Sequence, residues 1–215
     1  MLNKQKGNMY AFVTHTWNPI RGKCPHECSY CYMKIYPQAQ LRFVASEMNT
    51  QLGSGNYIFV GSSTDMWCEQ SQTDWITRTL SHCKAFNNQY LFQSKNPDRF
   101  LDFLYDFPNK TILGCTIESD IYSPSKFAPI PEERMKVMSQ ITLPKMVSIE
   151  PIIDFNLAVM VEWIHAIKPQ FVSIGADSQN NHLAEPSATK IGYLIKELKT
   201  FTEVVIKDNL KRLTG

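Results

Sequence analysis

Short apolar segments alternate along the chain with longer segments of mixed polarity. The short segments are rich in β-branched and aromatic residues, which favour strands. They cover residues 10–16, 57–61, 90–94, 111–118, 146–150, 171–176 and 203–207. Helices are predicted between them, near residues 33–49, 73–86, 97–105, 131–140, 156–167 and 187–200. A strand followed by a helix, repeated along the chain, predicts an α/β fold with a parallel sheet assembled from βαβ units.

The length of the chain bears on how such a sheet closes. The chain has 215 residues, whereas a complete eight-unit barrel typically has ~250. The sheet is therefore either open and doubly wound or curled into a barrel. Because neither a repeat nor a linker interrupts the sequence, residues 1–215 are predicted to form one domain.

Polar residues stand at or just after the ends of most of the predicted strands. The carboxyl ends of parallel strands meet at one edge of the sheet, where the sites of both architectures lie. Because side chains alternate along a strand, Thr116 and Glu118 share one face, while Cys115 and Ile117 share the other. A functional site is therefore predicted at this edge. Its candidate residues are Ser62, Ser63, Thr64, Asp65, Lys95, Glu118, Glu150, Ser173, Asp177 and Lys207.

Composition narrows the class of protein further. The chain is 43% hydrophobic and 20% charged, with a formal net charge of +2. This near balance gives no general affinity for nucleic acid or membranes, although a local basic patch remains compatible with it. The sequence contains neither an apolar run of the ~18 residues that a membrane span needs nor a secretory apolar segment at its N-terminus. The protein is therefore predicted to be cytoplasmic.

Three of the six cysteines are clustered in a loop after the first predicted strand. In the cytosol thiols stay reduced, so the cluster Cys24, Cys28 and Cys31 suggests a metal site and not a disulfide framework. Thiolates select zinc, copper(I) or iron–sulfur clusters. Zinc would take His15 or His26 as its fourth ligand. A four-iron cluster held by three cysteines would instead leave one iron open to a small molecule.

The cysteine spacing carries a family resemblance. The pattern C-x3-C-x2-C, with the aromatic Tyr30 before its last cysteine, resembles the signature of the radical S-adenosylmethionine superfamily. The segments "THTWNPIRGKCPHECSYCY", "SSTDMW", "SKNP", "SIEP" and "VIKDN" are similar to a phage-associated branch of it, related to spore photoproduct lyase. The resemblance runs from about Thr14 to Asn209.

The resemblance implies both a fold and a reaction. The fold is a partial (β/α)6 TIM-like barrel with the cysteine loop after its first strand, and residues 203–207 add one possible C-terminal strand. A [4Fe–4S] cluster on the three cysteines binds S-adenosylmethionine and cleaves it reductively to methionine and a 5′-deoxyadenosyl radical, which abstracts hydrogen from a substrate. The electron comes from a donor such as flavodoxin or ferredoxin.

The resemblance also implies which residues bind S-adenosylmethionine, with Tyr30 of the cysteine motif among them. The loop Ser62–Asp65 corresponds to the place where the methionine amino group is held, and Lys95 is suited to the methionine carboxylate. Glu118 and Ser119 correspond to the place of the ribose hydroxyls. Glu150 and Ser173 lie where two strands meet the nucleoside.

The remaining cysteines and histidines have simpler interpretations. Cys83 and Cys115 are predicted to be small buried apolar groups. Cys68 lies in the loop after the second predicted strand and is a candidate for a catalytic hydrogen-atom donor. His15 and His26 flank the cysteine loop and are expected to pack against it or tune it.

The substrate is the least specified part of the prediction. Lys207 ends a strand at the predicted site and, with Lys126 and Lys190 in and after the long loops, could hold one or two phosphates. Asp177, at the end of the neighbouring strand, is a further candidate for substrate binding. A nucleotide or nucleobase is therefore predicted, against a peptide or another small molecule. Two rival functions stay open, namely repair of a DNA photolesion and a zinc-stabilised nucleic-acid-binding module without catalysis.

Overall fold

The secondary structure is mixed α/β in the computed structural model, which describes residues 1–5, 7 and 9–215. The strands are β1 (Asn3–Lys4), β2 (His15–Trp17), β3 (Ile20–Arg21), β4 (Arg42–Phe43), β5 (Tyr57–Val60), β6 (Gln89–Ser94), β7 (Thr111–Thr116), β8 (Lys145–Ile149), β9 (Phe171–Ile174) and β10 (Glu203–Ile206). The α-helices are α1 (Thr73–Lys84), α2 (Asp98–Leu101), α3 (Pro131–Gln140), α4 (Leu157–Ile167), α5 (Ala188–Leu198) and α6 (Lys211–Thr214). None of these helices is both long enough and apolar enough to cross a bilayer.

Eight of the strands form one sheet in the order β1-β2-β5-β6-β7-β8-β9-β10. Every neighbouring pair is parallel except β1 and β2, which pair antiparallel at one edge. The predicted α/β class with a parallel sheet is confirmed in this form. The C-terminal segment also joins the sheet, because β10 pairs in parallel with β9.

The two faces of the sheet are buried against different partners. Along β7, Leu113 and Cys115 face the helices and belong to the main apolar core, where both are 0% exposed. On the opposite face, Leu91 and Met146 pack against the segment 9–13 in a smaller apolar cluster. Because these parallel strands are covered on both faces, the central strands have a nearly continuous apolar sequence.

The segment 9–13, here called the floor segment, shows that the sheet is curved. The ring centroid of Phe12 lies 4.9 Å from that of Tyr57 in β5 and 5.1 Å from that of Phe171 in β9. In a flat sheet these strands would lie about 19 Å apart, since adjacent strands are spaced ~4.8 Å. One ring can touch both only if the sheet bends around it. The floor segment therefore closes the concave face at the amino ends of the strands.

The first predicted strand is shorter than expected. It was expected over residues 10–16, but only His15–Trp17 pair with β5. The preceding aromatic residues, Tyr10 and Phe12, are instead used in the floor segment. Aromatic residues favour any half-buried surface, so an aromatic-rich sequence alone does not distinguish a strand from a segment that packs across a sheet.

Two predicted helices are also wrong in extent. Residues 33–49 hold no α-helix, but two 3-10 turns at Tyr32–Ile35 and Ala45–Asn49 and, between them, the short strand β4. Pro37, which lacks an amide hydrogen and disfavours helical geometry in the residue before it, interrupts this stretch. Residues 97–105 form an α-helix only over Asp98–Leu101.

Candidate active site

A cavity of about 560 Å³ opens at the carboxyl ends of the strands. This volume is within the range of ~300–1,000 Å³ that is usual for small-molecule sites. Most of the candidate residues from the sequence meet here. The cavity is lined by Cys24, Cys28, Tyr30, Cys31, Ser62, Ser63, Thr64, Asp65, Lys95, Glu150, Asp177 and Lys207, together with residues such as Tyr10, Gln93 and Ser148.

The cysteines lie in the loop 23–31, here called the cysteine loop, which is held on its outer side by the long loop 119–130. The amide of Ser29 donates to the carbonyl of Pro124 at 2.8 Å, and the amide of Lys126 donates to the carbonyl of His26 at 3.1 Å. Gly22 precedes the loop with φ +120°, and a Cβ there would collide with the main chain of Gln40. Only glycine fits this entry into the loop.

The three thiols suit a cluster better than a single ion. Burial, followed by the charge of Asp65, raises the pKa of Cys24 to about 12, so a stable thiolate there needs a compensating metal. In the described residues, no three His, Cys, Asp or Glu side chains meet closely enough to hold one metal ion. In an iron–sulfur cluster each cysteine binds a different iron, so its thiols lie farther apart than the ligands of a single ion but must face the same cavity. Cys24, Cys28 and Cys31 do so.

Neither histidine that zinc could take as its fourth ligand completes a close group of ligands with the cysteines in the described residues. Nε2 of His26 lies 2.9 Å from Oδ2 of Asp65. His15 lies in β2, outside the lining of the cavity, with Nδ1 at 2.9 Å from the hydroxyl of Thr14. A Cys3His tetrahedron is therefore not favoured.

Asp65 joins three parts of the site. Its carboxylate accepts hydrogen bonds from the amide of Lys95 at 2.8 Å and from the hydroxyl of Ser94 at 2.9 Å, beside the contact with His26. Burial opposes its ionisation, but the charge of His26 and these hydrogen bonds outweigh that effect and lower the pKa of Asp65. The carboxylate thus ties the ends of β5 and β6 to the cysteine loop.

The three residues before Asp65 also make hydrogen bonds to the segment that precedes the cysteine loop. The hydroxyl of Thr64 donates to the carbonyl of Gly22 at 2.8 Å. The amide of Ser63 donates to Oδ1 of Asn18 at 3.0 Å, and the hydroxyl of Ser62 lies 3.3 Å from the same oxygen. Ser62 and Ser63 line the cavity directly.

Lys95 and Tyr30 form the next part of the wall. Nζ of Lys95 lies 5.2 Å from the ring centroid of Tyr30 and 3.9 Å from Oε1 of Glu118. Burial disfavours the ammonium, but the charges of Cys28 and Glu118 outweigh it and raise the pKa of Lys95. A cation is therefore stabilised beside the cysteines.

Three of the predicted S-adenosylmethionine ligands do not line the cavity. Glu118, Ser119 and Ser173 are each 0% exposed. Ser119 accepts from the amide of Ile121 at 3.1 Å and shapes a turn. The carboxylate of Glu118 contacts Arg134, which was not among the predicted site residues. A direct contact of these three residues with a ligand stays a prediction that this geometry does not favour.

The other end of the cavity carries a second ion pair. Nζ of Lys207 lies 2.8 Å from Oε2 of Glu150 and 4.9 Å from the ring centroid of Tyr10. The hydroxyl of Tyr10 lies 2.8 Å from Oε1 of Gln93 and 2.9 Å from the hydroxyl of Ser148. Tyr10 and Gln93 were missed from the sequence, although inward alternation from Lys95 would have found Gln93.

The two remaining candidates, Asp177 and Cys68, differ in whether they line the cavity. Asp177 lines the cavity, but its Oδ1 accepts from the amide of Gln179 at 3.0 Å and from Nδ2 of Asn181 at 2.6 Å, so it also shapes the loop 177–186. Cys68 is 0% exposed and lies outside the cavity lining, with Sγ 3.3 Å from the hydroxyl of Ser71.

Gly175 gives a test of how firmly Glu150 is held. A Cβ at this position would lie 2.9 Å from the carboxyl carbon of Glu150 and 3.0 Å from Oδ1 of Asn209. Gly175→Ala is expected to displace one of them and to lower the free energy of unfolding by about 1–3 kcal/mol in a urea titration. Gly192→Ala is the matched control, because nothing lies within 4 Å of its Cβ and it sits within α5. It should be stabilising by roughly 0.5–1 kcal/mol. Equal stabilities for wild type and Gly175→Ala would mean that Glu150 is free to move.

These features define an α/β protein with a thiol-lined cavity at the carboxyl edge of a curved, mostly parallel sheet. Solved structures of spore photoproduct lyase share this fold. A Cys-to-Ala variant of that enzyme superposes with a TM-score of 0.69, covering 94% of this chain and 78% of its own, at 8% identity. A variant with bound AdoMet and dinucleoside spore photoproduct gives a TM-score of 0.60, covering 92% of this chain and 64% of its own, at 9% identity. No protein-family profile and no curated protein sequence matches the chain.

Proposed function

We propose that this protein is a cytosolic radical S-adenosylmethionine enzyme with one [4Fe–4S] cluster held by Cys24, Cys28 and Cys31. The observation that carries the proposal is that these three thiols line one large cavity. The fold is like that of spore photoproduct lyase, which belongs to the superfamily that the motif resembles. In this interpretation the chain is one domain and its curved sheet a partial (β/α)6 barrel with one added strand. Electrons come from a flavodoxin or ferredoxin.

The residues along the cavity suit the binding of S-adenosylmethionine. The bound cluster and S-adenosylmethionine would supply a 5′-deoxyadenosyl radical that abstracts hydrogen from the substrate. Lys95 provides a half-buried ammonium for the methionine carboxylate. Ser62 and Ser63 provide polar atoms for the methionine amino group. Asp65 adds negative charge beside them, although its hydrogen bonds also hold the loops together.

The protein also shields this reaction from water. The floor segment closes the concave face opposite the mouth of the cavity, and Met9, Tyr10 and Phe59 contribute to the cavity lining. A dry apolar surround protects a reactive radical from side reactions. The chain thus contributes orientation and exclusion of solvent, while the cofactor carries the bond cleavage.

The substrate that we propose is a nucleotide or a nucleobase. Glu150, Lys207 and Asp177 offer both hydrogen-bond donors and acceptors at the end of the cavity that holds Tyr10. One structure of similar fold holds a dinucleoside spore photoproduct, which supports a substrate of nucleic-acid type. The formal charge of +2 argues against a long duplex footprint.

Anaerobic reconstitution tests the function. With iron, sulfide, dithionite and S-adenosylmethionine, the protein is expected to become brown and to form 5′-deoxyadenosine. An added nucleotide or oligonucleotide should raise this turnover and exchange deuterium with the 5′-deoxyadenosine. Repair of a photolesion would instead regenerate S-adenosylmethionine. A protein that binds no iron, or that cleaves S-adenosylmethionine faster only with a peptide, would contradict the proposal.

A further inference from the structure

The side chain of Tyr30 connects the cysteine loop to the interior of the protein. Tyr30 lies between Cys28 and Cys31 in the sequence. Its hydroxyl donates to Oε1 of Glu118 at 2.5 Å, across 88 positions of the chain. A hydrogen bond to a buried carboxylate is stronger than one between neutral groups. The loop therefore has an anchor on its inner side as well as on its outer side.

Glu118 is itself held in place from the opposite direction. Its Oε2 lies 2.7 Å from Nη1 of Arg134, and both side chains are 0% exposed. Arg134 comes from α3 and is fixed by the main chain, because Nε donates to the carbonyl of Pro129 at 2.6 Å and Nη1 to that of Thr116 at 3.0 Å. The planar guanidinium thus fixes the carboxylate in one orientation.

The arrangement leaves little room for a ligand at this carboxylate. One oxygen of Glu118 binds Tyr30 and the other binds Arg134, and neither is accessible from the cavity. Lys95 does line the cavity, and its Nζ lies 3.9 Å from Oε1 of Glu118. Polar contact with S-adenosylmethionine is therefore open to Lys95 and closed to Glu118.

The cysteine loop has a second inner anchor of the same kind. His26 contacts Asp65 at 2.9 Å, so Cys28 is flanked on both sides in the sequence by residues whose side chains bind a carboxylate. The two carboxylates follow β5 and β7. The loop is thus attached at two separated points to the rigid edge of the sheet, as a preorganised site requires.

We infer that Glu118, oriented by Arg134, is a positioning residue that holds Tyr30 and with it the C-x3-C-x2-C loop in the conformation its three cysteines need. The inference rests on the proposed function for its purpose, but the anchoring itself belongs to the chain alone. The hydroxyl of Tyr30 forms this anchor, so the residue has a role beyond that of its aromatic ring. Glu118 therefore supports the metal site instead of binding the ribose.

The first test measures the reactivity of each cysteine in the full, metal-free chain. Alkylation by iodoacetamide is followed by mass spectrometry for each thiol. Tyr30→Phe removes one hydroxyl and should raise the alkylation rates of Cys28 and Cys31 about ten-fold, because losing a hydrogen bond to a charged group opens the loop. Cys83 and Cys115 report on global unfolding and should keep their rates. Equal rates at Cys28 and Cys31 in wild type and variant would overturn the inference.

Two further variants separate anchoring from other effects. Tyr36→Phe is the matched control, because this tyrosine is 54% exposed and lies just beyond the loop. It should change no rate by more than about two-fold. Glu118→Gln removes the charge that binds both Tyr30 and Arg134, so it should raise the rates of Cys28 and Cys31 at least as much as Tyr30→Phe. Adding Tyr30→Phe to Glu118→Gln should change these rates little further, since the Tyr30 hydrogen bond is already lost. Additive effects of the two substitutions would contradict a shared anchor.

The second test uses the reconstituted protein and distinguishes a failed anchor from a failed function. Tyr30→Phe should lose iron to a chelator several-fold faster than wild type and change the electron paramagnetic resonance signal of the reduced cluster. If wild type takes up no iron, the proposed function fails while the alkylation result still decides the anchor. If Glu118→Gln weakens S-adenosylmethionine binding but leaves cysteine reactivity and iron loss unchanged, Glu118 is a ribose ligand and the inference is wrong.

Discussion

Cys28→Ala is expected to abolish the iron–sulfur cluster and, with it, the cleavage of S-adenosylmethionine. Cys28 is 8% exposed and faces the cavity, with Sγ 2.9 Å from the hydroxyl of Ser125. Alanine removes one of three protein ligands, and no described side chain is placed to replace it. Cys24→Ala and Cys31→Ala should have the same effect. Iron and sulfide content, the absorbance of the reconstituted protein and 5′-deoxyadenosine formation measure the loss.

The matched controls are cysteines on the other side of the sheet. Cys83 in α1 and Cys115 in β7 are 0% exposed and belong to the main apolar core. Cys83→Ala and Cys115→Ala should lower stability by about 1–2 kcal/mol through lost packing. Both should keep a full complement of iron. A Cys28→Ala protein with full iron and active cleavage would contradict the assignment of the metal ligands.

Asp65→Asn is expected to lower the free energy of unfolding by about 2–4 kcal/mol. The amide of asparagine replaces one acceptor oxygen with a donor, so the hydrogen bonds from Ser94, Lys95 and His26 cannot all be kept. The cysteine loop would then lose one of its inner anchors. Urea unfolding of the metal-free chain measures the stability, and the rate of iron loss from the reconstituted protein reports on the loop.

The effect of Asp65→Asn should also depend on pH. Folding lowers the pKa of Asp65 below its ordinary value of 3.8. A carboxyl whose pKa falls on folding contributes stability above that ordinary value and loses it as the pH drops through the folded-state pKa. The stability difference between wild type and variant should therefore shrink in acid. Asp74→Asn is the control, because Asp74 is 68% exposed and 3.7 Å from Arg78. It should change stability by less than about 1 kcal/mol at any pH.

The sequence was sufficient for the central strands of the sheet and for the edge at which the cavity lies. Residues 57–61, 90–94 and 146–150 carry β-branched and aromatic residues that suit burial on both faces, and each corresponds to a strand in the structure. The polar residues at the ends of these strands lie near one another, since parallel strands bring their carboxyl ends to one edge. Local pattern and chain direction together locate such a cavity.

The connections within the site depend on distant residues and could not be predicted in this way. Glu118 stands at a strand end, as a ligand would, but its partner Arg134 lies in a helix, where no sequence pattern singles it out. Asp65 suited an ammonium by composition, whereas its contact with His26 depends on how two loops fold together. Burial and pairing of a charge are properties of tertiary packing, and a single sequence does not display them.

The floor segment has a consequence for the order in which the protein can fold. Residues 9–13 are synthesised well before β8 and β9, yet Tyr10 contacts Ser148 and Phe12 contacts Phe171. Until those strands leave the ribosome, this aromatic segment has few of its final partners and depends on contacts of large sequence separation. The concave face can therefore close only after most of the chain exists, and a nascent chain arrested before β8 would expose the segment to chaperones.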